Sequence, residues 1–263
     1  MQTQPINAAR VRQAVEAQGL DWHYQTETGS TNADALLYHS KNARDVVAFS
    51  EAQTEGRGRR GRLWMSPFAR NIYCTVGVSR SIPAASQGLL SIVTGVALCR
   101  SLRQQTGLAV ALKWPNDLLF EGQKLGGILI ESRALTDGCY FFAIGYGLNL
   151  CMSDADLNAL DRPATSLDRH LGDACDRSEL LVATIVAVSR AIRAFDVSAV
   201  ADLIADFSEL DAYHGETVEV LSAHGNSSGI NRGIDARGQL CLETAQGVEL
   251  HSAAEISLRP ATA

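Results

Sequence analysis

Residues 56–62, here called the arginine loop, constrain this chain most, because four arginines and three glycines follow one another there. Guanidinium groups this close together repel one another unless an anion lies among them. Glycine lets the backbone adopt positive φ angles and approach a ligand closely. The loop matches neither a Walker A sequence nor a dinucleotide-binding fingerprint. It therefore predicts a phosphate-binding loop whose arginine side chains contact the ligand.

The charge of the whole chain bears on two other interpretations of this loop. A short basic run is also typical of nucleic-acid contact or of a solvated surface loop. The formal net charge is −6, whereas nucleic-acid-binding proteins usually show a basic excess over a whole domain. The positive charge is local, which weakens the nucleic-acid interpretation. An RNA-binding regulatory module stays the non-enzymatic alternative.

Hydrophobic periodicity predicts a succession of strands and helices up to about residue 210. Short apolar or alternating runs predict strands, and apolar residues at helical spacing predict helices. Glu121 and Gly122 are the expected turn of a hairpin, while Ser86 and Gly107 are the expected cap and stop of a long helix. The predicted strands are 46–50, 71–78, 109–113, the hairpin 118–130 and 139–150, and the predicted helices are 86–107, 178–195 and 198–210.

The composition changes near Tyr213, where helical periodicity gives way to short alternating runs. Several short strands separated by turn signals predict a small β-barrel. We therefore expect a catalytic or binding domain over residues 1–212 and a barrel domain over residues 213–263. The expected strands are 216–220, 239–243 and 247–250, with turns at Gly225, 235–238 and 246–247.

Cysteine usage and hydropathy predict a soluble protein of the cytoplasm. The six cysteines are scattered without a C-x-x-C pair and mostly have apolar neighbours, so we expect reduced core residues, a disulfide set being the alternative. Residues 1–25 contain no apolar signal-peptide core, and the longest strongly apolar stretch, residues 180–188, is too short to span a membrane. We expect no membrane association.

Four motifs in a fixed order resemble the biotin protein ligase family. STN at residues 30–32 is followed by GRGRRGRLWMSP at 56–67, KWPND at 113–117 and KLGGIL at 124–129. The resemblance extends from about residue 30 to residue 259. It implies an α+β fold, in which a class II synthetase-like catalytic domain, a mixed β-sheet flanked by helices, is followed by a small SH3-like β-barrel. Residues 233–235 and 255–259 are similar to parts of that barrel. Ala254 stands where the family pattern has glycine.

The resemblance implies a ligase reaction in two steps, with ATP and biotin as substrates and Mg²⁺ as cofactor. Biotin is first activated as biotinyl-5′-AMP with release of pyrophosphate, and is then transferred to a lysine of a biotin carboxyl carrier domain. The related lipoate ligases and octanoyltransferases are the enzymatic alternative. The arginine loop and KWPND resemble biotin ligases more closely, and the chain shows no catalytic cysteine in a recognisable setting.

The same resemblance assigns roles to individual residues. Arg57 and Lys124 are implied as the catalytic pair that holds the biotin carboxylate and the α-phosphate, and Asn116 and Asp117 as Mg²⁺ ligands. The implied biotin-binding residues are Ser30, Thr31, Asn32, Gln53, Arg57, Gly58, Arg59, Lys124 and Gly127. The implied ATP- or phosphate-binding residues are Arg59, Arg60, Arg62, Trp64, Lys113 and Asn149. Residues 152–166 are implied to form a second loop over the adenylate.

Several of these residues have an ordinary structural alternative. Residues 30–32 are also a typical helix N-cap. Asn116 and Asp117 follow a proline, as in a simple turn, and Asn149 is also readable as an exposed residue after an apolar strand. Lys124 is otherwise a surface lysine beside a hairpin turn. Trp64 and Trp114 suit stacking on adenine or biotin, with core packing as the alternative.

The first 29 residues show a short helical pattern around Val11, Val15 and Leu20, and then a strand beginning near Trp22. Many bacterial members of the family carry a DNA-reading winged helix before the ligase. Residues 1–29 are too few for such a domain, so we expect no specific DNA binding. The sequence leaves the oligomeric state open, a weak homodimer included.

Overall fold

A mixed β-sheet flanked by helices forms the larger part of the computed structural model, which describes residues 5–136, 138–172, 176–222, 225–252 and 256–260, without the side chains of 222 and 256–260. Among these residues the helices are α1 Ala8–Glu16, α2 Thr31–Asn42, α3 Leu89–Thr106, α4 Asp154–Asn158, α5 Asp168–Leu171, α6 Arg177–Ala194 and α7 Val200–Leu210. The strands are β1 Asp21–Thr28, β2 Val46–Gln53, β3 Ile72–Arg80, β4 Ala111–Lys113, β5 Asp117–Phe120, β6 Gln123–Ala134, β7 Tyr140–Leu148, β8 Thr217–Ser222, β9 Gly225–Ile234, β10 Leu240–Thr244, β11 Gly247–His251 and β12 Ile256–Pro260.

The large sheet has the strand order β1-β2-β3-β7-β6-β5-β4, in which β1 and β2 are parallel and the other pairs antiparallel. Its central strands are apolar runs buried on both faces. Successive side chains of a strand point to opposite faces: Val46 and Ala48 pack in the cluster that includes Ala35 of α2, while Val47 and Phe49 pack in the main core with residues of α1, α3 and α6. The predicted sheet flanked by helices is confirmed.

The second sheet contains five antiparallel strands in the order β11-β10-β9-β8-β12. The sequence predicts β8, β10 and β11, and its resemblance marks 255–259, but β9 was missed. Its sequence, GNSSGINRGI, is rich in residues typical of loops. Gly225, predicted as a turn, begins this strand, which pairs with both β8 and β10. Ala254 and Glu255 lie outside the described residues.

Two hydrogen bonds join the part of the chain that contains the large sheet to the part that contains the second sheet. Trp114 is 1% exposed, and its indole nitrogen donates a hydrogen bond to the carbonyl of Gly238 at 3.0 Å. Asp211, just after α7, accepts a hydrogen bond from Asn231 of β9 at 2.8 Å. Burial raises the pKa of Asp211. Trp114 therefore packs at the junction, which favours its structural role over ligand stacking.

Two local predictions need correction. Helix α3 begins at Leu89 with Gly88 at its cap position, because Ser86 ends a separate 3₁₀ turn; Gly107, with φ +72°, stops the helix as predicted. Of the described cysteines only Cys74 and Cys99 are buried, whereas Cys139, Cys151 and Cys241 are partly exposed. Cys175 lies outside the described residues.

One helical stretch of the described chain, Ala84–Thr106, is long and apolar enough to cross a membrane by length and composition alone. This stretch is more extended than the apolar run at 180–188 noted in the sequence. However, 67% of its most apolar window is buried inside the fold, and α3 supplies many residues of the main core. The helix is therefore packed as the core helix of this domain.

A buried ion pair joins β2 to α6. Arg177 and Glu51 side chains are 4% and 1% exposed and share a short hydrogen bond, and Arg177 also donates to the carbonyl of Asn71 at 2.7 Å. Glu51 accepts from the backbone N–H of Ile6 at 3.1 Å. The pair thus connects the segment at Ile6 to the sheet and to α6.

We predict that Arg177→Met lowers the free energy of unfolding by about 3–5 kcal/mol, because it leaves the Glu51 carboxylate buried without its cation. Urea unfolding followed by circular dichroism measures the change. Arg10→Met is the matched control: its pair with Asp176 is about half exposed at 3.6 Å, so its loss should cost less than about 0.5 kcal/mol. Equal losses in the two variants would contradict the prediction.

Candidate functional site

A cavity of about 650 Å³ lies where the ends of β2, β5, β6 and β7 meet the arginine loop and residues 159–164. All of the site residues predicted from the sequence line it, although they come from six separate stretches of chain. These residues are Ser30, Thr31, Asn32, Gln53, Arg57, Gly58, Arg59, Arg60, Arg62, Trp64, Lys113, Asn116, Asp117, Lys124, Gly127 and Asn149.

One end of the cavity is polar and uncharged. Ser30 occupies the N-cap position of α2 but makes no side-chain cap hydrogen bond. Instead, the amide oxygen of Gln53 accepts from the backbone N–H of Thr31 at 3.0 Å and from its hydroxyl at 3.3 Å. The amide nitrogen of Gln53 donates to Ser66 at 3.1 Å. Gln53 therefore caps the helix from a neighbouring strand and anchors the segment that follows the arginine loop.

Asn32 is 4% exposed and fixed on both sides of its amide. Its nitrogen donates to the carbonyl of Leu129 at 3.1 Å and to Glu131 at 2.8 Å, and its oxygen accepts from Thr75 at 2.7 Å. A Cβ at Gly145 would lie 2.2 Å from that oxygen. Asn32 thus needs a glycine opposite it, and its amide oxygen has one lone pair left for a ligand.

The indole ring of Trp64 packs against the backbone of Gly147 and Gly127. A Cβ on Gly147 would lie 2.4 Å from the indole ring, and one on Gly127 would lie 3.3 Å from it. The ammonium of Lys124 is 5.3 Å from the ring centroid. The indole nitrogen of Trp64 is buried, and it is the one buried side-chain N or O atom in the described residues without a hydrogen-bond partner. A buried donor of this kind points to a ligand acceptor.

Another part of the cavity wall is strongly charged. Lys124 and Asp117, whose side chains are 17% and 14% exposed, form an ion pair at 2.6 Å. The other oxygen of Asp117 lies 3.9 Å from Arg162, which belongs to the implied second loop, residues 152–166, but was not singled out in the sequence. Lys124 is therefore held between the indole ring of Trp64 and the carboxylate of Asp117. The interpretation of Lys124 as a freely solvated surface lysine is excluded.

Arg59 is held by a neighbouring motif. It donates to the amide oxygen of Asn116 at 3.0 Å, and the amide nitrogen of Asn116 donates to the carbonyl of Ile128 at 2.8 Å. Burial lowers the pKa of Arg59, and the charge of Arg60 lowers it further, whereas Asp117 raises it. The cluster therefore has an excess of positive charge that a phosphate would neutralise.

The arginine loop is closed on itself. Residues Arg57 and Leu63 form an antiparallel bridge, and the N–H of Gly58 donates to the carbonyl of Arg62 at 2.7 Å. Arg60 has a positive φ of 58°, which is uncommon for a residue with a Cβ and is typical of functional loops. Arg57 lies 3.5 Å from Glu131. Glu131 thus holds the loop against β6 and also binds Asn32.

Asn149 is 4% exposed, so the exposed-residue alternative is wrong. Its amide nitrogen donates to the carbonyl of Thr165 at 3.1 Å and to that of Lys124 at 3.4 Å. The N–H groups of Lys124 and Thr165 complete this junction with backbone hydrogen bonds of 3.0 Å each. Asn149 therefore joins β6 and β7 to the segment around residue 164. It also lines the cavity, and its implied contact with ATP stays a prediction.

Asn116 and Asp117, the predicted metal ligands, offer few donor atoms. The described residues contain no group of three or more His, Cys, Asp or Glu side chains that could hold a metal ion. Asn116 and Asp117 offer one amide oxygen and one carboxylate. Such a set fits Mg²⁺ that is held mainly by phosphate oxygens. It does not fit a permanently bound ion.

Two family models match the chain. Residues 22–149 match the biotin/lipoate A/B protein ligase family, and residues 213–259 match the biotin protein ligase C-terminal domain. The first match contains the arginine loop and the other motifs that line the cavity. The second covers the small antiparallel sheet.

Curated relatives have similar sequences over most of the chain. A biotin–[acetyl-CoA-carboxylase] ligase of Paracoccus denitrificans is 34% identical over 87% of this chain and 97% of its own. One of Mycobacterium tuberculosis is 33% identical over 96% of this chain and 95% of its own. The bifunctional ligase/repressor BirA of Escherichia coli is 34% identical, and the match spans 67% of that protein.

Solved structures share the fold. The biotin protein ligase from Aquifex aeolicus in complex with biotin and ATP superposes with a TM-score of 0.76 over 91% of this chain and 99% of that one, at 24% sequence identity. At this identity the likeness establishes the architecture, including the second sheet.

We predict that Glu131→Gln speeds tryptic cleavage of the arginine loop about two- to fivefold in the ligand-free protein, because it removes the charge that holds Arg57. Glutamine keeps an acceptor for Asn32, so the melting temperature should barely change. Glu209→Gln, at an exposed position of α7, is the control. Mass spectrometry of timed digests gives the rates, and cleavage at the control rate would contradict the prediction.

Proposed function

We propose that this chain, which belongs to the biotin protein ligase family, activates biotin with ATP and transfers it to a lysine of a biotin carboxyl carrier domain. One observation carries the proposal: Lys124 lies against the Trp64 ring and pairs with Asp117, in a cavity that is also lined by uncharged amide side chains and by the arginine loop. It is 5.3 Å from the Trp64 ring on one side and 2.6 Å from Asp117 on the other. The carboxylate of biotin and the triphosphate of ATP would meet there.

In the first step, a carboxylate oxygen of biotin attacks the α-phosphorus of ATP, an O–P bond forms, and the bond to the β-phosphate oxygen breaks with release of pyrophosphate. Both reactants are anions. At 4 Å and an effective dielectric constant of 20, each pair of unit charges repels by about 4 kcal/mol. We assign Lys124 and Arg57 to the carboxylate and the α-phosphate, where their charges oppose this repulsion.

The rest of the cavity then divides between the two substrates. Gln53 and residues 30–32 lie at the polar end and suit the ureido ring of biotin, whose buried donors and acceptors need partners. Arg59, Arg60 and Lys113 suit the phosphates, and Arg62 the outgoing pyrophosphate. The buried indole N–H of Trp64 donates to an acceptor on the acyl side. Asn149 supports this wall through the backbone of Lys124.

In the second step, the lysine amine of the carrier attacks the acyl carbon of biotinyl-5′-AMP. An amide bond forms, AMP leaves with the bonding electron pair, and the amine proton passes to solvent. The intermediate is an acyl phosphate anhydride, which water hydrolyses. We propose that the arginine loop excludes water from it while the carrier approaches.

Asn116 and Asp117 would hold Mg²⁺ that arrives with ATP. The ion supplies charge neutralisation of the polyphosphate when bound. Asp117 must first exchange its partners, because its carboxylate accepts from Lys124 in the ligand-free protein. The described cysteines are free thiols, which fits our placement of the enzyme in the reducing cytoplasm.

We predict biotin-dependent release of pyrophosphate from ATP and Mg²⁺, and incorporation of labelled biotin only when a biotin carboxyl carrier domain is added. Lipoate and octanoate in place of biotin test the related acyl transferases. Neither should replace biotin. Release of pyrophosphate with lipoate alone would assign the chain to that branch, and no release with any acid would overturn the enzymatic proposal.

We predict that Lys124→Ala slows biotin-dependent pyrophosphate release by about 10²- to 10³-fold, because it removes a preorganised cation from the transition state. Transfer from pre-formed biotinyl-5′-AMP should slow less, since its phosphate is already esterified. Lys41→Ala, on the exposed end of α2, is the control and should match the wild type. Wild-type adenylation by Lys124→Ala would remove this residue from the site.

A further inference from the structure

Arg162 lines the charged part of the cavity wall, yet none of the motifs contains it. It lies in the segment between α4 and α5, and its side chain is 29% exposed. Two nitrogens of its guanidinium, Nε and Nη2, donate to Asp161 at 2.9 and 3.3 Å. The third, Nη1, is 3.9 Å from Asp117, too far for a hydrogen bond.

The backbone holds this arginine in register with Lys124. The N–H of Lys124 donates to the carbonyl of Pro163, and the N–H of Thr165 donates to the carbonyl of Lys124, both at 3.0 Å. These bonds form a parallel bridge between Lys124 and Ala164. Arg162 therefore precedes, by one residue, a segment paired with the residue assigned to the α-phosphate. The backbone of Arg162 is therefore held next to the segment that pairs with Lys124.

The neighbours of Arg162 indicate what it binds. Lys124 holds one oxygen of Asp117 closely, and Arg162 faces the other oxygen without a hydrogen bond. The hydrogen bond between Asp161 and Arg162 raises the pKa of Arg162 and lowers that of Asp161, so both groups are charged. Asp161, Arg162 and Arg62 line the same cavity.

We propose that Arg162 is a further phosphate-binding residue, which contacts the β- and γ-phosphates of ATP and then the outgoing pyrophosphate. This rests on the proposed function and adds a residue and a subsite to it. Asp161 keeps the planar guanidinium oriented, while Nη1 exchanges its weak ionic contact with Asp117 for a phosphate oxygen. Guanidinium geometry suits phosphate oxygens.

The test compares Arg162→Gln with Arg162→Lys and with a matched control, Arg169→Gln. Arg169 follows the same segment and pairs with Asp154, but it does not line the cavity. Titration calorimetry with inorganic pyrophosphate measures binding without any reaction. Steady-state pyrophosphate release gives KM for ATP, and transfer from pre-formed biotinyl-5′-AMP isolates the second step.

We expect Arg162→Gln to weaken pyrophosphate binding and to raise KM for ATP by about 10- to 100-fold, as for loss of a charge-assisted hydrogen bond. Arg162→Lys should fall between it and the wild type. The control should stay within about twofold of the wild type. Transfer from biotinyl-5′-AMP should be unchanged in all variants, because that compound has neither a β- nor a γ-phosphate.

Three outcomes would overturn the proposal. Pyrophosphate binding by Arg162→Gln equal to that of the control removes Arg162 from the subsite. Equal slowing of both steps, with a lowered melting temperature, assigns Arg162 to holding the loop in place. If Arg162→Gln fails to fold, the measurement is made on Arg162→Lys. Wild-type pyrophosphate affinity in that variant then counts against the proposal. Loss of biotin-dependent release in the wild type defeats the proposed function instead, while the calorimetric comparison still decides whether Arg162 binds pyrophosphate.

Discussion

The 2.6 Å ion pair between Lys124 and Asp117 is the interaction on which the cavity depends. A cation taken out of water is costly unless an anion compensates it. Two pairs that are more exposed, Arg57 with Glu131 and Arg162 with Asp161, place further carboxylates beside the cations that line the cavity. A protein with a net charge of −6 can therefore carry a strongly cationic pocket, since carboxylates hold the cations in place until a substrate anion arrives.

Close backbone approach is the second condition. Strand β7 lies between β3 and β6, and its glycines leave room for side chains that arrive from elsewhere in the chain. Gly145 makes room for Asn32 and Gly147 for Trp64. Any side chain at these two positions would meet those groups at less than 3 Å. The positions of Asn32 and Trp64 in the cavity wall thus depend on the absence of a Cβ atom at Gly145 and at Gly147.

Much of the fold was predictable because the central strands are long apolar runs and the hairpin turn at Glu121 and Gly122 has positive φ at both positions. Strand β9 was missed since its glycine and serine residues are typical of loops and only pairing with β8 and β10 orders them. Site motifs were recognisable because they are contiguous. Glu131, Thr75 and Arg162 were not, as each gains its role from a partner at least 43 residues away or from a cavity wall.

The carboxylates also explain how a preformed cationic site avoids being blocked by its own counterions. Asp117 makes one close contact and one long contact, so under the proposed function a triphosphate, which carries several charges, would displace it from Lys124 and Arg162. The displaced carboxylate does not stay unpaired if Mg²⁺ enters with the nucleotide. The phosphate then takes the place of Asp117 beside Lys124, and Mg²⁺ takes the place of Lys124 beside Asp117. Every charged group of the wall thus keeps a partner of opposite charge. Lys124 has already lost most of its water on folding, because it is 17% exposed beside Asp117. Binding of a phosphate therefore requires little further desolvation of this cation.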